Sequence, residues 1–395
     1  MITVLRNAEV YAPERLGIRD VLLVGGKIAA VVEHVSLNAG GAVEVREIEA
    51  GGKALVPGFI DSHVHLLDGG GEGGFSTRTP EASLTDLTKA GVTTVVGCLG
   101  TDGVARDPVS LLAKARGLDE EGITTYIYIG SYRVPFRTIT GEVMKDLMVV
   151  DKVIGIGEVA ISDHRSSQPT FEEFVRAVAD ARVGGMLSGK AGIVDIHLGD
   201  GPRMIDLIWR AVRETEIPVA QFLPTHVNRN QPLFDECVKY AKEGGYIDFT
   251  GSDGPDFWEE TDGEVRVSKG VRCLLEEGVN PENFTLSSDG QGSLPIFNEK
   301  KEYVGIGVGK ATCLIKAIKE CVFREKIPLE TAIRILTANP AKILKLKSKG
   351  RIAAGMDADL CLLDGNLDID TVIARGQVMV QGGRPLVFGT FEVKS

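Results

Sequence analysis

The stretch ALVPGFIDSHVH, residues 54–65, joins a short apolar, β-branched run to two closely spaced histidines. Similar runs recur along the chain, and segments with helical periodicity separate them. The eight predicted strands span residues 54–60, 92–98, 124–129, 153–160, 192–197, 218–225, 246–251 and 284–288. Eight strand-then-helix units in series predict the α/β class and a closed parallel (β/α)8 TIM barrel.

Both ends of the chain have a different pattern from the middle. Residues 1–53 and 347–395 contain short strand-like stretches, such as 2–11, 42–50 and 358–364, that are interrupted by Gly and Asn. We therefore expect a small β-sandwich-like domain built from both termini, with the barrel at residues 54–346 between its two parts. The Gly-rich stretches 68–74 and 288–293 follow predicted strands and are expected to be loops at the mouth of the barrel.

Length and composition exclude several functional classes. A chain of 395 residues fits one barrel of about 250 residues and an accessory unit. The formal net charge of −11 disfavours nucleic acid as a partner, and no apolar run approaches the roughly 20 residues that span a bilayer. The first 20 residues do not have the pattern of a secretory signal, and the six scattered cysteines suit small buried thiols in a reducing compartment. A cytoplasmic location is expected.

Four of the six histidines follow predicted strands at their carboxyl ends: His63, His65, His197 and His226. A glutamate in the fourth strand and an aspartate after the eighth, Glu158 and Asp289, have similar placements. Side chains at the C-terminal face of a TIM barrel converge even when they are distant in sequence. His63 and His65 are two residues apart and can therefore share one face of their strand.

Imidazole nitrogen and carboxylate oxygen are ordinary ligands of zinc and similar cations. Six such groups exceed what one tetrahedral ion with an open position requires, so the set predicts two divalent ions, with Zn²⁺ expected, and a metal-activated hydroxide as nucleophile. A single histidine or carboxylate more often has a structural role than a metal-binding one. The prediction of a metal site therefore depends on the placement of all six residues together. His34 and His164 lack this placement and are expected not to bind metal.

These residues resemble the amidohydrolase superfamily in the stretch 56–65, VPGFIDSHVH, and in the tail 350–364, GRIAAGMDADLCLLD. Six loops resemble, more narrowly, the isoaspartyl (β-aspartyl) dipeptidase family, and the resemblance covers essentially the whole chain. They are GGGEGGFSTRTPE (69–81), GTDG (100–103), GSYRVPFRTITG (130–141), AISDHRS (160–166), LPTHVNRN (223–230) and LSSDGQGS (286–293).

The resemblance implies a metallo-dipeptidase that hydrolyses the amide bond of β-aspartyl dipeptides and that assembles as a homo-oligomer. It assigns the metal ions to His63, His65, Glu158, His197, His226 and Asp289. Asp289 would also act as general base and then acid, and Tyr132 would donate to the carbonyl oxygen. Substrate contacts are implied for Glu72 (to the ammonium), Arg165 and Arg229 (to carboxylates) and, as lesser contacts, Gly70, Thr101 and Ser293.

One ligand departs from the family pattern. The strand-four residue of the family is a carboxylated lysine, whereas this chain has Glu158, which is several bonds shorter. Lys152 lies six residues upstream, about 20 Å away along an extended strand, and cannot substitute. Either Glu158 bridges two ions or the chain works with one ion, and the sequence leaves both outcomes open.

Two other functions remain as alternatives at this stage. The same site could hydrolyse another small acidic amide, such as an N-acyl amino acid or a cyclic imide, although the charged set of Glu72, Arg165 and Arg229 argues against neutral substrates. A catalytically inert barrel that serves as an interaction scaffold is the third hypothesis. Retention of nearly every expected ligand type argues against the scaffold.

Overall fold

The structure, a computed structural model, describes residues 2–37, 41, 44–253, 263–298 and 303–393. The outermost residues of the predicted terminal segments, and residues 42 and 43 of the predicted strand-like stretch 42–50, lie outside this part of the chain. Within it, no helix is long and apolar enough to cross a membrane.

A mixed sheet combines the two ends of the chain. The N-terminal strands are β1 (Ile2–Tyr11), β2 (Arg15–Val24), β3 (Lys27–Val32), β4 (Val45–Glu49) and β5 (Ala54–Pro57), and the C-terminal strands are β16 (Leu360–Leu363), β17 (Ile369–Ala374), β18 (Gln377–Gln381) and β19 (Arg384–Pro385). The order is β19-β18-β17-β16-β5-β1-β2-β3, with β4 also paired to β1. Strands β5 and β16 pair antiparallel, which joins the two ends as predicted.

Eight parallel strands form the barrel: β6 (Phe59–Val64), β7 (Val92–Gly97), β8 (Thr124–Ile129), β9 (Val153–Ile161), β10 (Ile193–Leu198), β11 (Phe222–Thr225), β12 (Ile247–Thr250) and β13 (Phe284–Ser287). Strands β6 to β11 pair in sequence order, and β12 pairs with β13. The circle closes where Val227 N donates to Asp248 O at 3.4 Å and His65 N donates to Gly290 O at 2.9 Å. The predicted TIM barrel is confirmed.

The predicted strand at 54–60 is in fact two strands. Ala54–Pro57 belongs to the terminal sheet, and the first barrel strand starts at Phe59. Gly58 lies between them, where an added Cβ would be 2.3 Å from Thr93 Oγ1. The close approach leaves room only for glycine and lets the chain pass directly from one sheet to the other. The division at residues 53 and 346 into domains stays a prediction.

Helices follow the strands and cover the outside of the barrel. They are α1 (Leu84–Thr88), α2 (Pro108–Glu120), α3 (Val143–Val149), α4 (Phe171–Ser188), α5 (Asp206–Glu214), α6 (Gln231–Lys242), α7 (Val267–Glu276), α8 (Thr312–Phe323), α9 (Leu329–Ala332) and α10 (Ala338–Ile343). A hairpin of β14 (Ser293–Phe297) and β15 (Tyr303–Val308) follows β13. Thr170 and Glu173 form a capping box at the start of α4, which fixes where this helix begins.

A small apolar cluster fills the N-terminal end of the barrel. Ile60, Val96 and Tyr128 point inward from their strands and contact Leu344 and Leu346, which follow α10. Their neighbours on the same strands point outward to the helices, because side chains alternate along a strand. The plugged N-terminal end leaves the C-terminal end as the place for polar side chains.

Candidate metal centre and substrate pocket

The six predicted metal ligands meet at the C-terminal end of the barrel; five are buried, and the side chain of Asp289 is 17% exposed. His63 and His65 lie at the end of β6, Glu158 on β9 and His197 on β10, while His226 and Asp289 follow β11 and β13. His226 and Asp289 have positive φ angles of 63° and 50°. Left-handed backbone at non-glycine residues costs free energy and concentrates at functional sites.

The carboxylate of Glu158 lies between the two pairs of histidines. Its Oε1 is 3.4 Å from His65 Nε2, and its Oε2 is 3.3 Å from His63 Nε2. The same Oε2 is 3.2 Å from His197 Nδ1 and 3.9 Å from His226 Nε2. Asp289 Oδ1 faces the first pair, 3.0 Å from His65 Nε2. One glutamate thus contacts both halves of the cluster, at a point where the pairing of β9 with β10 shifts register.

The donor set fits divalent cations. Nitrogen and oxygen ligands at about 2.0–2.2 Å from one tetrahedral zinc lie about 3.4 Å apart, close to the separations from Glu158 to His63, His65 and His197. Two buried carboxylate oxygens, Glu158 Oε1 and Asp289 Oδ1, have no hydrogen-bond partner among the described residues. His65 Nε2 faces both oxygens, at 3.4 and 3.0 Å, and a cation bound among them would take the nitrogen and the oxygens as ligands.

Two carboxylates and one imidazole of the cluster have protonation states that suit metal ligands. Burial alone would lower the pKa of His63 and His65, but the acidic groups around them raise it well above its usual range, so these two must release a proton when a cation binds. Burial alone would raise the pKa of Glu158, but the charge of His63 and hydrogen bonds from His197 hold that pKa well below its usual range. Burial acts likewise on Asp289, where the interaction with His65 lowers the pKa to about 2. Burial lowers the pKa of His226 to about 3. At neutral pH both carboxylates are therefore ionised and His226 is a neutral imidazole.

Three side chains that sequence reasoning did not select orient these imidazoles. His63 Nδ1 is 2.9 Å from Asp195 Oδ2, His197 Nε2 is 3.0 Å from Asp163 Oδ2, and His226 Nδ1 is 2.6 Å from Thr250 Oγ1. Each contact leaves the other ring nitrogen facing Glu158. Asp195 could have been selected because it lies two residues before His197 on the same face of β10. Thr250 gives no signal in the sequence.

Cys98, which directly follows β7, differs from the other cysteines. Its Sγ lies 3.6 Å from His63 Nε2 and 3.9 Å from His65 Nδ1. Together with Glu158 these residues form a buried group whose potential ligand atoms all lie within 4.8 Å of one another. The expectation of small core thiols accounts for the burial of Cys98 and does not account for this position.

A cavity of about 360 Å³ is lined by Gly70, Glu72 and Thr101. Thr101 follows Gly100, where an added Cβ would be 2.8 Å from His65 Cε1. Thr101 Oγ1 donates to Glu72 Oε1 at 2.8 Å. An added Cβ at Gly70, where φ is +65°, would lie 2.6 Å from Thr77 O and 3.0 Å from Ser293 Cβ. Gly70 therefore allows the loop to pack closely against the first residue of β14. Four of the predicted substrate contacts are thus close to one another.

The two predicted arginines occupy different environments. Arg165 holds Asp163 in a bidentate pair, with Nη2 to Oδ2 at 2.7 Å and Nε to Oδ1 at 3.0 Å, while its Nη1 is 3.4 Å from Glu72 Oε1. Burial alone would lower the pKa of Arg165, but the hydrogen bond to Asp163 raises it. Arg229 Nε is buried and has no hydrogen-bond partner in the described part of the chain. An unpaired guanidinium nitrogen is a ready contact for an anion.

Tyr132, in the loop after β8, places its hydroxyl 2.8 Å from His197 Nδ1. Burial, followed by the negative charge of Glu158, raises the pKa of this phenol well above its ordinary value. The hydroxyl therefore stays protonated and able to donate. His34 and His164 lie on the surface, with side chains 77% and 86% exposed.

Comparison with known proteins places the chain in a family. A crystal structure of the β-aspartyl dipeptidase from Fervidobacterium islandicum AW-1, in complex with β-Asp-Leu, is 45% identical, with a TM-score of 0.89 and coverage of 98% of this chain and 97% of that one. The chain belongs to the β-aspartyl dipeptidase family. A second structure of that dipeptidase is 43% identical, with a TM-score of 0.87 and 98% coverage of both chains.

More distant matches extend the comparison beyond the β-aspartyl dipeptidases. The model of the amidohydrolase family matches residues 265–380. A dihydroorotase from Elusimicrobium minutum is 26% identical over 92% of this chain and 88% of its own. A D-hydantoinase structure at 18% identity has a TM-score of 0.71 over 99% and 98% of the two chains, and shows the fold alone. The predicted family and superfamily are confirmed.

Proposed function

We propose that this chain hydrolyses β-aspartyl dipeptides with the help of divalent metal ions. The observation that carries the proposal is the physical connection between the ligand cluster and the charged pocket. Asp163 contacts both, because its carboxylate accepts from Arg165 and lies 3.0 Å from His197 Nε2. A substrate bound by its charged ends in the pocket would thus be close to the metal ligands.

The pocket matches the charge of the proposed substrate. In a β-aspartyl dipeptide the aspartyl α-ammonium and α-carboxylate lie on one carbon atom. Glu72 and Arg165, 3.4 Å apart, offer the opposite charges at a similar spacing. Arg229 has the unpaired Nε to receive the second carboxylate, that of the leaving amino acid. Gly70, Thr101 and Ser293 are proposed to supply the smaller polar contacts.

The catalytic roles follow from the cluster. Bound divalent ions supply Lewis acidity, which polarises the scissile carbonyl and acidifies water. Asp289 takes a proton from the attacking water and gives it to the departing amine as the C–N bond breaks, and the water oxygen stays on the new β-carboxylate. Tyr132 donates its O–H to the carbonyl oxygen. The products are aspartate and a free amino acid.

We infer two ions, held by His63, His65, Glu158, His197, His226 and Asp289, with Glu158 between them. Zn²⁺ is the ion that this mixture of imidazole and carboxylate favours.

We also propose a homo-oligomer in the cytoplasm. Helices α3 and α4 pack together and expose Val149, Met186 and Leu187, each more than 60% accessible, and a subunit interface would cover such an apolar surface.

A substrate panel tests the proposal. Purified, zinc-loaded protein is given β-Asp-Leu, α-Asp-Leu, N-acetylaspartate and dihydroorotate, and free amine or ring opening is measured. We expect hydrolysis of β-Asp-Leu alone, and at least a tenfold rise in KM for the Glu72→Gln variant with its zinc content unchanged. The matched control is Glu81→Gln, on the exposed side of the same loop, with no change. Preference for N-acetylaspartate or dihydroorotate would reassign the site to another small acidic amide.

A further inference from the structure

The cluster at the mouth of the barrel contains one potential ligand atom that the proposed function does not use, the thiol of Cys98. We propose that the Cys98 thiolate is a direct ligand of the metal centre, on the side of His63 and Glu158. This inference rests on the proposed metal-dependent function and concerns the composition of its metal site.

The distance between Cys98 Sγ and His63 Nε2 fits two ligands of one metal ion. A sulfur at about 2.3 Å and a nitrogen at about 2.0–2.1 Å from one tetrahedral zinc lie about 3.6 Å apart. Cys98 Sγ and His63 Nε2 are 3.6 Å apart, and His63 Nε2 is the ring nitrogen that faces Glu158, since Nδ1 contacts Asp195. The thiol thus already has the spacing to an available imidazole nitrogen that a shared ion requires.

The charge balance of the cluster also favours a thiolate ligand. Glu158 and Asp289 offset only half of the charge that two divalent ions bring, and a Cys98 thiolate offsets half of the remainder. Glu158 Oε1, buried and without a hydrogen-bond partner among the described residues, independently indicates a cation at this place. On binding, the thiol releases its proton to solvent as the sulfur–metal bond forms, with no change of oxidation state.

The short side chain of Glu158 also favours an additional ligand from a neighbouring strand. Glu158 replaces a carboxylated lysine, which reaches further from its strand. Cys98 enters from the end of β7, close to the same histidine pair, and its own alternative partner is weak, because the thiol is 3.5 Å from Val64 O. A thiolate from β7 compensates for the reduced reach of the glutamate on β9. The softer sulfur ligand also favours zinc over magnesium or manganese.

X-ray absorption at the zinc edge of the intact zinc-loaded protein tests the assignment, and it needs no activity. We expect a sulfur shell at about 2.3 Å in the natural chain. The shell should vanish in Cys98→Ser and remain in Cys361→Ser, a matched control because Cys361 is equally buried and also near a backbone carbonyl, Gly91 O. With Co²⁺ in place of zinc, the thiolate-to-cobalt absorption band should be present in the natural chain and in Cys361→Ser and absent in Cys98→Ser. Zinc should dissociate from Cys98→Ser at least tenfold faster than from the natural chain.

Only nitrogen and oxygen neighbours around zinc in the natural chain would overturn the assignment, even if Cys98→Ser failed to fold. A sulfur shell that persists in a folded Cys98→Ser variant would overturn it as well. Neither result would affect hydrolysis of β-Asp-Leu by the natural chain. Failure to bind zinc at all would instead overturn the metal-dependent function together with this inference.

Discussion

Removal of one hydroxyl, in Tyr132→Phe, should slow turnover of β-Asp-Leu about a hundredfold. The Tyr132 hydroxyl is 2.8 Å from His197 Nδ1, the nitrogen that faces Glu158. That nitrogen has one lone pair and cannot both bind a cation and accept from Tyr132. The loaded site therefore leaves the hydroxyl free to donate to the substrate carbonyl.

The magnitude follows from the environment of this hydroxyl. Loss of one donor to a developing oxyanion costs about a hundredfold to a thousandfold in kcat. Here a bound cation would also polarise the substrate carbonyl, so we expect the smaller loss, about a hundredfold in kcat. This corresponds to about 2.7 kcal/mol in the activation free energy. Because burial keeps the pKa of Tyr132 well above its ordinary value, the phenol remains protonated through neutral pH and the ratio of rates should not change between about pH 7 and 8.

Steady-state kinetics with β-Asp-Leu and zinc content on the same preparations measure this effect. Tyr128→Phe is the matched control, since the Tyr128 hydroxyl is also buried, lies deeper in the barrel and has no hydrogen-bond partner among the described residues. The control should keep its kcat, and both variants should keep their zinc. A Tyr132→Phe enzyme with natural kcat would refute the role of the hydroxyl, and one that loses zinc would show that Tyr132 acts on the metal site instead.

Three further changes probe the site and the fold. Asp163→Asn should lower zinc affinity and kcat/KM by about tenfold to a hundredfold, since the carboxylate that orients His197 is lost. Exposed Asp200→Asn should change neither quantity, and equal kinetics of the two variants would contradict the positioning role of Asp163. Lys349→Met should reduce the free energy of unfolding by about 3–5 kcal/mol in denaturant titration, because buried Asp359 loses its lysine partner and keeps only the backbone N–H of Arg375. Exposed Lys347→Met should not reduce it, and a loss of equal size in both variants would count against the buried pair. Chelation of the metal should abolish β-Asp-Leu hydrolysis and lower the melting temperature, with both restored by zinc, and full activity of demonstrably metal-free protein would exclude a metal mechanism.

The barrel and the convergence of its ligands could be predicted from local patterns. Short β-branched runs alternate with amphipathic helices, and chemistry at the C-terminal face of a TIM barrel follows from strand direction. For this reason His63 and His226, far apart in sequence, were expected to meet. The joint sheet from both termini was also indicated by strand-like composition, although its pairing of β5 with β16 depends on contacts more than 300 residues apart.

Other features depend on tertiary contacts that sequence patterns do not contain. The split of the run 54–60 at Gly58 is set by the approach of Thr93, a neighbour only in the folded barrel. Cys98 looks like any buried thiol until the end of β7 is placed beside His63. Asp163 was inside a selected motif, but its double contact to an imidazole and a guanidinium is visible only when β9 and β10 are side by side.

Glu158 and the histidines are proposed to hold two ions that act on a β-linked amide. The most direct measurement is the rate of β-Asp-Leu and α-Asp-Leu hydrolysis as zinc is titrated into metal-free protein, with bound zinc per chain determined at each point. We expect β-Asp-Leu hydrolysis to reach its full rate at about two zinc ions per chain, with α-Asp-Leu uncleaved throughout. Full activity at one ion, or equal cleavage of both peptides, would contradict the account.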